Sequence, residues 1–498
     1  MVSALSNLTA DPSKGRANWC ALFAGNWCGP LALPLCDHYV CPSVTNGTST
    51  MSQPLDALTK SLLRAAGRAG ADGADAKAVR ATSVSVDVRG GALEQAERAE
   101  GIDIGLRVFV GQRSANVSAS DTSDRTIEEM AARAVAMAKE APEDPHSGLA
   151  APDQLATDWD IDALELYDAT PEPSPADLQQ DAVLAEAAAL AVKGVAQVQS
   201  ASAGYSAQEV HFATTNGFKG GYARTDRGLS CVAIAGTGSG MERDYDGDSR
   251  IFQSDLRDPH DIGTSAGERA LRRLDARKPP TGAYPVLFDE RISSSLIGHL
   301  LGAVNGMAIA RGASWLRDAL GQPVLPDTLS LIEDPHRPRI SGSRPFDGEG
   351  LPTARRLIVE NGVLQGWTLD LATARKLGLS STGNAARSTS SGPSPTNWNI
   401  ELTQDEKTRD DLIRDMGTGL LVTSMIGSTI NPNNGDYSRG ASGLWIENGE
   451  ITHAVNECTI AGNLRDMLRA IVPANDARAH LSRVVPSLLV SGMTLAGA

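Results

Sequence analysis

The sequence predicts an α+β fold, with an N-terminal α/β layered region followed by a mostly β C-terminal domain. Two patterns predict it. Up to about residue 280, stretches of helical periodicity alternate with period-2 stretches, the pattern of helices layered on a sheet. Beyond it, short alternating segments are separated by Gly, Asn and Pro, as in turns between strands. Aromatic residues make up only 4% of the chain while glycines number 49, which favours small-residue turns and strands over a core of large rings.

The elements follow in order. Leu55, Leu58, Leu62 and Leu63 fall at helical spacing, and Gly67 and Gly70 end the pattern. Val84, Val86 and Val88 alternate with Ser85 and Asp87 before Gly90-Gly91 turns the chain. Ile102, Ile104, Leu106, Val108 and Val110 make a longer strand, and Gly111-Gln112-Arg113 reads as the turn into Ala115, Val117 and Ala119. Asp124 precedes a helix through Ile127, Met130, Ala131, Ala134, Val135 and Ala138. Loops at 141–146 and 168–175 lead to an alanine-rich helix over 175–192. Strands are predicted near 196–203, 209–215 and 229–236, with Asn216-Gly217 as a hairpin turn. A helix near 262–274 ends at the basic linker Arg277-Lys278-Pro279-Pro280, where the main domain boundary falls. Helices near 292–308, 405–415 and 463–468 are the expected exceptions to a β-rich C-terminal part. The resulting division is a leader at 1–50, α+β subdomains at 51–145 and 146–280, and the β-rich domain at 281–498.

The leader differs from the rest. It holds four of the six cysteines (Cys20, Cys28, Cys36 and Cys41) and few charges. Trp27, Cys28, Gly29 and Pro30 interrupt its apolar run, which argues against a secretory signal. The cysteines and His38 lack the C-x-x-C pair of a zinc knot. The expectation is that translation starts at Met51 and that residues 1–50 are a non-native or disordered leader. Outside it only Cys231 and Cys458 remain, too few for a disulfide framework, so a reducing, cytoplasmic setting is expected.

The chain carries 45 basic and 60 acidic residues, a formal charge of −15. That balance excludes gripping nucleic acid or an anionic membrane by bulk charge. No run reaches the ~18 apolar residues of a spanning helix.

A zinc-peptidase helix sets two His one turn apart beside a Glu base, so that both imidazoles meet one ion. No H-E-x-x-H or H-E-x-x-x-H occurs; the helix near 292–308 holds only His299, with no acidic residue between Arg291 and Arg311. His453, Glu457 and Cys458 are a runner-up metal site, against the reading of a strand-end cluster without metal. Asp244, Asp246 and Asp248 lack the Gly and Glu registers of a calcium loop and read as an acidic solvated turn. Gly236-Thr237-Gly238-Ser239-Gly240 lacks the sixth-position Gly of a dinucleotide loop and the Gly-Lys-Ser/Thr of a Walker loop. No G-x-S-x-G elbow is present.

The block Ser381-Thr382-Gly383-Asn384-Ala385-Ala386-Arg387-Ser388 joins a glycine that admits close approach, an amide that both donates and accepts, and a guanidinium that forks onto carboxylates. Gly383, Asn384 and Arg387 are therefore candidate substrate-binding residues for a peptide main chain or C-terminus; the alternative is a plain surface turn. The stretch from Asn431 to Gly440 has the same character.

Several motifs resemble the TldD/PmbA family. They are Gly105-Leu106-Arg107-Val108-Phe109-Val110-Gly111, Arg344-Pro345-Phe346-Asp347-Gly348-Glu349-Gly350-Leu351-Pro352-Thr353, Ala374-Arg375-Lys376-Leu377-Gly378 and Ser381-Thr382-Gly383-Asn384. Gly435-Asp436-Tyr437-Ser438-Arg439-Gly440 and Thr459-Ile460-Ala461-Gly462-Asn463-Leu464 complete the set. The resemblance runs from about Met51 to the C-terminus.

That resemblance implies a heterodimeric peptidase of two kinds of subunit. The TldD kind carries an H-E-x-x-x-H zinc helix and a later cysteine ligand; the PmbA kind, also called TldE, lacks them. This chain resembles the PmbA kind: Ile297 and Gly302 stand about where the histidines would be, and Gly298 about where the base would be. Cys458 precedes the Thr-Ile-Ala-Gly-Asn motif, whereas the ligand cysteine of the TldD kind follows it. The implied role has no catalytic residue and no cofactor in this chain, zinc in a TldD-like partner, and small peptides (modified-peptide precursors, antitoxins) as substrates. Modulation of DNA gyrase, which family names mention, would then be indirect, without nucleic acid or membrane as partner. An autonomous metal-dependent hydrolase and a non-proteolytic gyrase regulator are the alternatives.

Overall fold

The computed structural model describes residues 53–497, so the expectation for residues 1–50 lies outside the described residues. β1 (Gly73–Arg89), β2 (Ala92–Val110), β3 (Arg113–Ala119), β4 (Val195–Thr214), β5 (Lys219–Ala235) and β6 (Glu242–Arg250) form one antiparallel sheet in the order β3-β2-β1-β4-β5-β6. The segments 51–145 and 146–280 thus give three strands each to a single sheet. The strands predicted at 196–203 and 209–215 are one strand, because Gly204 to Gln208 keep pairing with both β1 and β5.

Among the described residues, one face of this sheet carries all four large helices of the N-terminal half. α1 (Leu55–Ala69) and α2 (Asp124–Glu140) cover one part; α3 (Pro175–Ala191) and α4 (Pro259–Leu271) cover the other. The alternation in β1 explains why one strand serves both. Ala74, Ala76 and Ala78 enter the core under α1 and α2, and Val84, Val86 and Val88 enter the core with α3 and α4. Capping sets the helix starts: Ser123 accepts from the Thr126 N–H, and Ser174 shares a capping box with Asp177. Asp75 and Lys77 fall on the opposite face, which meets the C-terminal half.

Asp244, Asp246 and Asp248 do not form a solvated turn; they stand in edge strand β6, and all three are buried. Their period of two puts them on one face, where arginines from several elements neutralise them. Arg291 meets Asp244 at 3.0 Å, Arg257 and Arg269 meet Asp246 at 2.9 and 2.7 Å, and Arg250 meets Asp248 at 2.9 Å. Buried carboxylates survive when paired, and most of these partners lie outside any local sequence window.

In the C-terminal half, β7 (Gly282–Phe288), β8 (Gly419–Ile430), β9 (Asp436–Glu447), β10 (Glu450–Asn463) and β11 (Leu488–Ala496) run β10-β9-β8-β7-β11. β10 also pairs with β11, so the ring of strands closes. A second sheet is built from short strands that include Leu331–Glu333, Arg356–Glu360 and Ile400–Leu402. α5 (Glu290–Ala303) follows β7 and sends Leu296, Ile297, Leu300 and Leu301 into the core. The helix predicted over 292–308 is interrupted after Ala303, where Asn305 caps a separate short helix, Gly306–Ala310. α6 (Leu371–Leu377) was not predicted, since seven residues are too few for periodicity to register. α7 (Arg409–Met416) and α8 (Leu464–Arg469) match the remaining predicted helices. Among the described residues no helix is long and apolar enough to cross a membrane.

Candidate functional site

Four of the six quoted motifs converge on the seam between the open face of the N-terminal sheet and the C-terminal half. Asp347 fastens two of them together. Its Oδ1 accepts from the Glu349 and Leu351 N–H groups at 2.8 and 2.9 Å, and its Oδ2 accepts from the Ala385 N–H at 3.1 Å. Glu349 reaches α6, where its Oε2 accepts from the Leu371 N–H at 2.9 Å. Gly105 lets the loop after Arg387 close onto the sheet, since a Cβ there would overlap the backbone of Thr389.

Charge is concentrated in this seam. Arg107 donates to Asp75 Oδ2 through Nε at 2.7 Å and Nη2 at 2.5 Å, and Arg387 makes an ion pair with Asp75 Oδ1. Lys77 Nζ donates to the Arg387 carbonyl at 2.7 Å. Burial lowers the Lys77 ammonium to about 8, with Arg387 and Arg344 adding repulsion. Burial pushes the Glu349 carboxyl up to about 8, and the Asp347 charge adds to the push. Burial also raises Asp347, against backbone N–H groups that favour its charged form.

The candidate substrate-binding residues lie in this seam and not on a surface turn; all three are buried. Gly383 adopts φ +68, a Cβ there would overlap the Pro352 carbonyl, and its own carbonyl accepts from Trp398 Nε1 at 2.9 Å. Asn384 Nδ2 donates to Glu333 Oε1 at 2.9 Å and to the Thr396 carbonyl at 2.8 Å, while its Oδ1 is buried without a partner. Arg387 lies over Phe212 at 5.3 Å, and its Nε and Nη2 are buried without acceptors. Asp75 and Lys77 were missed by sequence reading. The available signal was the alternation of Ala74, Ala76 and Ala78 with two charges, which marks a strand whose second face is polar.

Gly435-Asp436-Tyr437-Ser438-Arg439-Gly440 and Thr459-Ile460-Ala461-Gly462-Asn463-Leu464 meet in a second place. They pair across β9 and β10, where Asn463 Nδ2 donates to Asp436 Oδ1 at 3.1 Å. His299 of α5 packs edge-on against Tyr437 with ring centroids 5.8 Å apart. Burial, helped by Arg439, lowers His299 to about 4, so the ring is a neutral imidazole with an unpartnered Nε2.

The zinc that the family implies does not fit the residues present. Ile297, Gly298 and Gly302 of α5 carry no donor atoms in their side chains. Among the described residues no three His, Cys, Asp or Glu side chains are grouped to hold a metal ion. The runner-up residues are apart in role. His453 Nδ1 lies 2.9 Å from Thr452 Oγ1, Glu457 pairs with Lys278 at 3.3 Å, and Cys458 donates to the Ala441 carbonyl at 3.1 Å. Burial pushes the Cys458 thiol up to about 11, so it is protonated at neutral pH.

Family models for PmbA/TldA metallopeptidase domain 1, central domain and C-terminal domain match residues 74–138, 168–274 and 281–497. Metalloprotease PmbA of Escherichia coli O157:H7 is 36% identical over 444 residues, 89% of this chain and 96% of that protein. A PmbA homolog of Haemophilus influenzae is 36% identical over 440 residues, 86% of this chain and 93% of that protein. The crystal structure of a candidate modulator of DNA gyrase from Bacteroides thetaiotaomicron matches with a TM-score of 0.82 at 28% identity, covering 89% of this chain and 99% of that one. TldE of Thermococcus kodakarensis, 22% identical with a TM-score of 0.78 over 88% of this chain and 100% of that one, shares the fold. On family models that span both halves and relatives aligned along nearly their whole length, the chain belongs to the PmbA/TldD metallopeptidase family.

Proposed function

We propose that this chain is the metal-free, PmbA/TldE-type subunit of a heterodimeric peptidase that degrades or processes small peptides. One observation carries the reading: α5, where the family's zinc helix would lie, has Ile297, Gly298 and Gly302 in place of ligands and base, while the family's C-terminal domain model matches across residues 281–497. Zinc chemistry needs an activated water at an open coordination position, and that belongs to a TldD-like partner. This chain contributes by closing the chamber, excluding water and holding an extended peptide along the seam near Gly383, Asn384 and Arg387. The peptides are modified precursors or antitoxin-like chains, in a reducing cytoplasm where Cys231 and Cys458 stay as free thiols.

The experiment is zinc content and peptide cleavage for the purified chain, alone and mixed with a TldD-like subunit. The expected result is a lone chain that is metal-free and inactive, and a pair that cleaves. Stoichiometric zinc with cleavage by the lone chain overturns the proposal and returns attention to His453, Glu457 and Cys458. Direct gyrase binding without a partner or proteolysis overturns it in favour of a regulator.

A further inference from the structure

The seam carries three cations, Lys77, Arg224 and Arg344, that form no ion pair among the described residues. β1, β4 and β5 run side by side there, with Lys77 opposite Phe212 and Phe212 opposite Gly220. Arg224 lies four residues beyond Gly220, so it shares that face. Phe346 sits over Gly220 and meets Tyr222 edge-on at 5.9 Å, which brings Arg344, two residues earlier, over the same stretch of sheet. Arg344 donates to the carbonyls of Ser341 and Ser343 at 3.0 and 2.6 Å and leans over Trp398 at 5.6 Å, beside the Gly383 carbonyl.

Three features separate this cluster from an ordinary basic surface. First, among the described residues Lys77, Arg224 and Arg344 make no ion pair. Asp226, next to Arg224 on that face, favours its charge from a distance but accepts its hydrogen bond from the Ser249 hydroxyl, at 2.8 Å. Second, the half-buried cations repel one another: burial followed by Arg344 lowers Arg224 to about 10, and burial, Arg387 and Arg344 lower Lys77. Third, Arg387 borders the cluster with its side chain only 1% exposed and with Nε and Nη2 lacking acceptors. Like charges brought together out of water cost free energy, and such arrangements concentrate where a ligand of opposite charge is taken up. The excess is local and runs against a chain of net charge −15.

We propose that Lys77, Arg224, Arg344 and the free edge of Arg387 form a carboxylate-binding site for the peptide held in the seam. The inference rests on the peptide reading above and adds the chemical group that fixes the peptide's position. A carboxylate matches these groups: arginines fork onto its two oxygens, and the lysine supplies a point charge. The carboxylate comes from the peptide's C-terminus or from an internal acidic side chain.

The test is calorimetric binding of three hexaalanine-based peptides to the full chain at low salt. One has a free C-terminus, one is its C-terminal amide, and one is the amide with a single internal Glu. The expected result is at least tenfold tighter binding of one carboxylate-bearing peptide than of the neutral amide. Which one identifies the source of the group. R224Q and R344Q should each remove most of that advantage, with melting temperatures confirming that both variants are folded. Equal affinity for all three peptides, or an advantage that survives both substitutions, overturns the carboxylate site while leaving the peptide reading intact. Failure of all three to bind overturns both.

Discussion

Asp75, at the start of β1, is ion-paired with Arg387, 312 residues further along the chain, and both side chains are sealed from solvent. The same carboxylate receives Arg107 from the neighbouring strand β2, so one acid holds an arginine of its own sheet and an arginine of the C-terminal half together. Burial alone would raise its pKa, but Arg107 and Arg387 outweigh burial and hold the carboxyl below the ordinary range. An acid depressed in this way stabilises the fold above its ordinary value near 3.8, and the contribution is lost as the pH falls. Asp75→Asn should therefore destabilise by ~3–5 kcal/mol, the range for breaking a buried pair from one side. Urea unfolding at neutral pH measures it; a loss under ~1 kcal/mol would mean the junction does not depend on this pair.

Glu349 should behave in the opposite sense. Its carboxyl is raised to about 8, so between its ordinary value near 4.5 and that point the folded chain holds a proton that the unfolded chain releases. Rising pH then favours unfolding across that window. Glu349→Gln removes the titration and should be close to wild type near pH 5 but more stable near pH 8, by a few kcal/mol at ~1.4 kcal/mol per pH unit. Parallel stability curves for the two proteins would contradict this account.

The acidic edge of β6 supplies a third prediction. Burial would raise Asp248, yet His480 and Arg250 bring it down to about 2. Its stabilising effect is present above about 4 and disappears as the pH falls toward 2. Asp248→Asn should cost ~1–3 kcal/mol at neutral pH. It should also flatten the acid limb of the stability profile. An acid limb as steep as that of wild type would place the titration elsewhere.

The same residues show what the sequence makes legible. Helix faces and the hairpin at Asn216-Gly217 were readable because short-range periodicity and turn chemistry are local. Asp244, Asp246 and Asp248 were misread because their partners come from Arg257, Arg269 and Arg291, which no window around them contains. The seam was half legible. Gly105, Arg107, Arg344, Asp347, Glu349 and Arg387 stood in motifs, but nothing local says that Gly105 faces Thr389 or that Arg107 and Arg387 share Asp75. Asp75 and Lys77 look like the solvated face of an edge strand until the C-terminal half covers them.

Gly105 tests the closure of the seam directly, because β2 supplies its own control. A Cβ at Gly105 would overlap the Thr389 backbone, and backbone yields less readily than the tip of a side chain. A Cβ at Gly101, on the same strand, meets nothing within 4 Å. Gly101→Ala should therefore be neutral or stabilising by up to ~1 kcal/mol, since alanine loses less conformational freedom on folding. Gly105→Ala should destabilise by ~1–3 kcal/mol, the usual cost of overpacking. The loop holding Ser388, Ser390 and Ser391 would lift from the sheet and draw Arg387 away from Asp75. Thermal unfolding of the two variants gives the energies, and limited proteolysis at 388–391 reads the loop. Faster cleavage in G105A alone is the expected result. Equal melting temperatures and equal cleavage would show that the loop yields without strain and that the glycine is not what closes the seam.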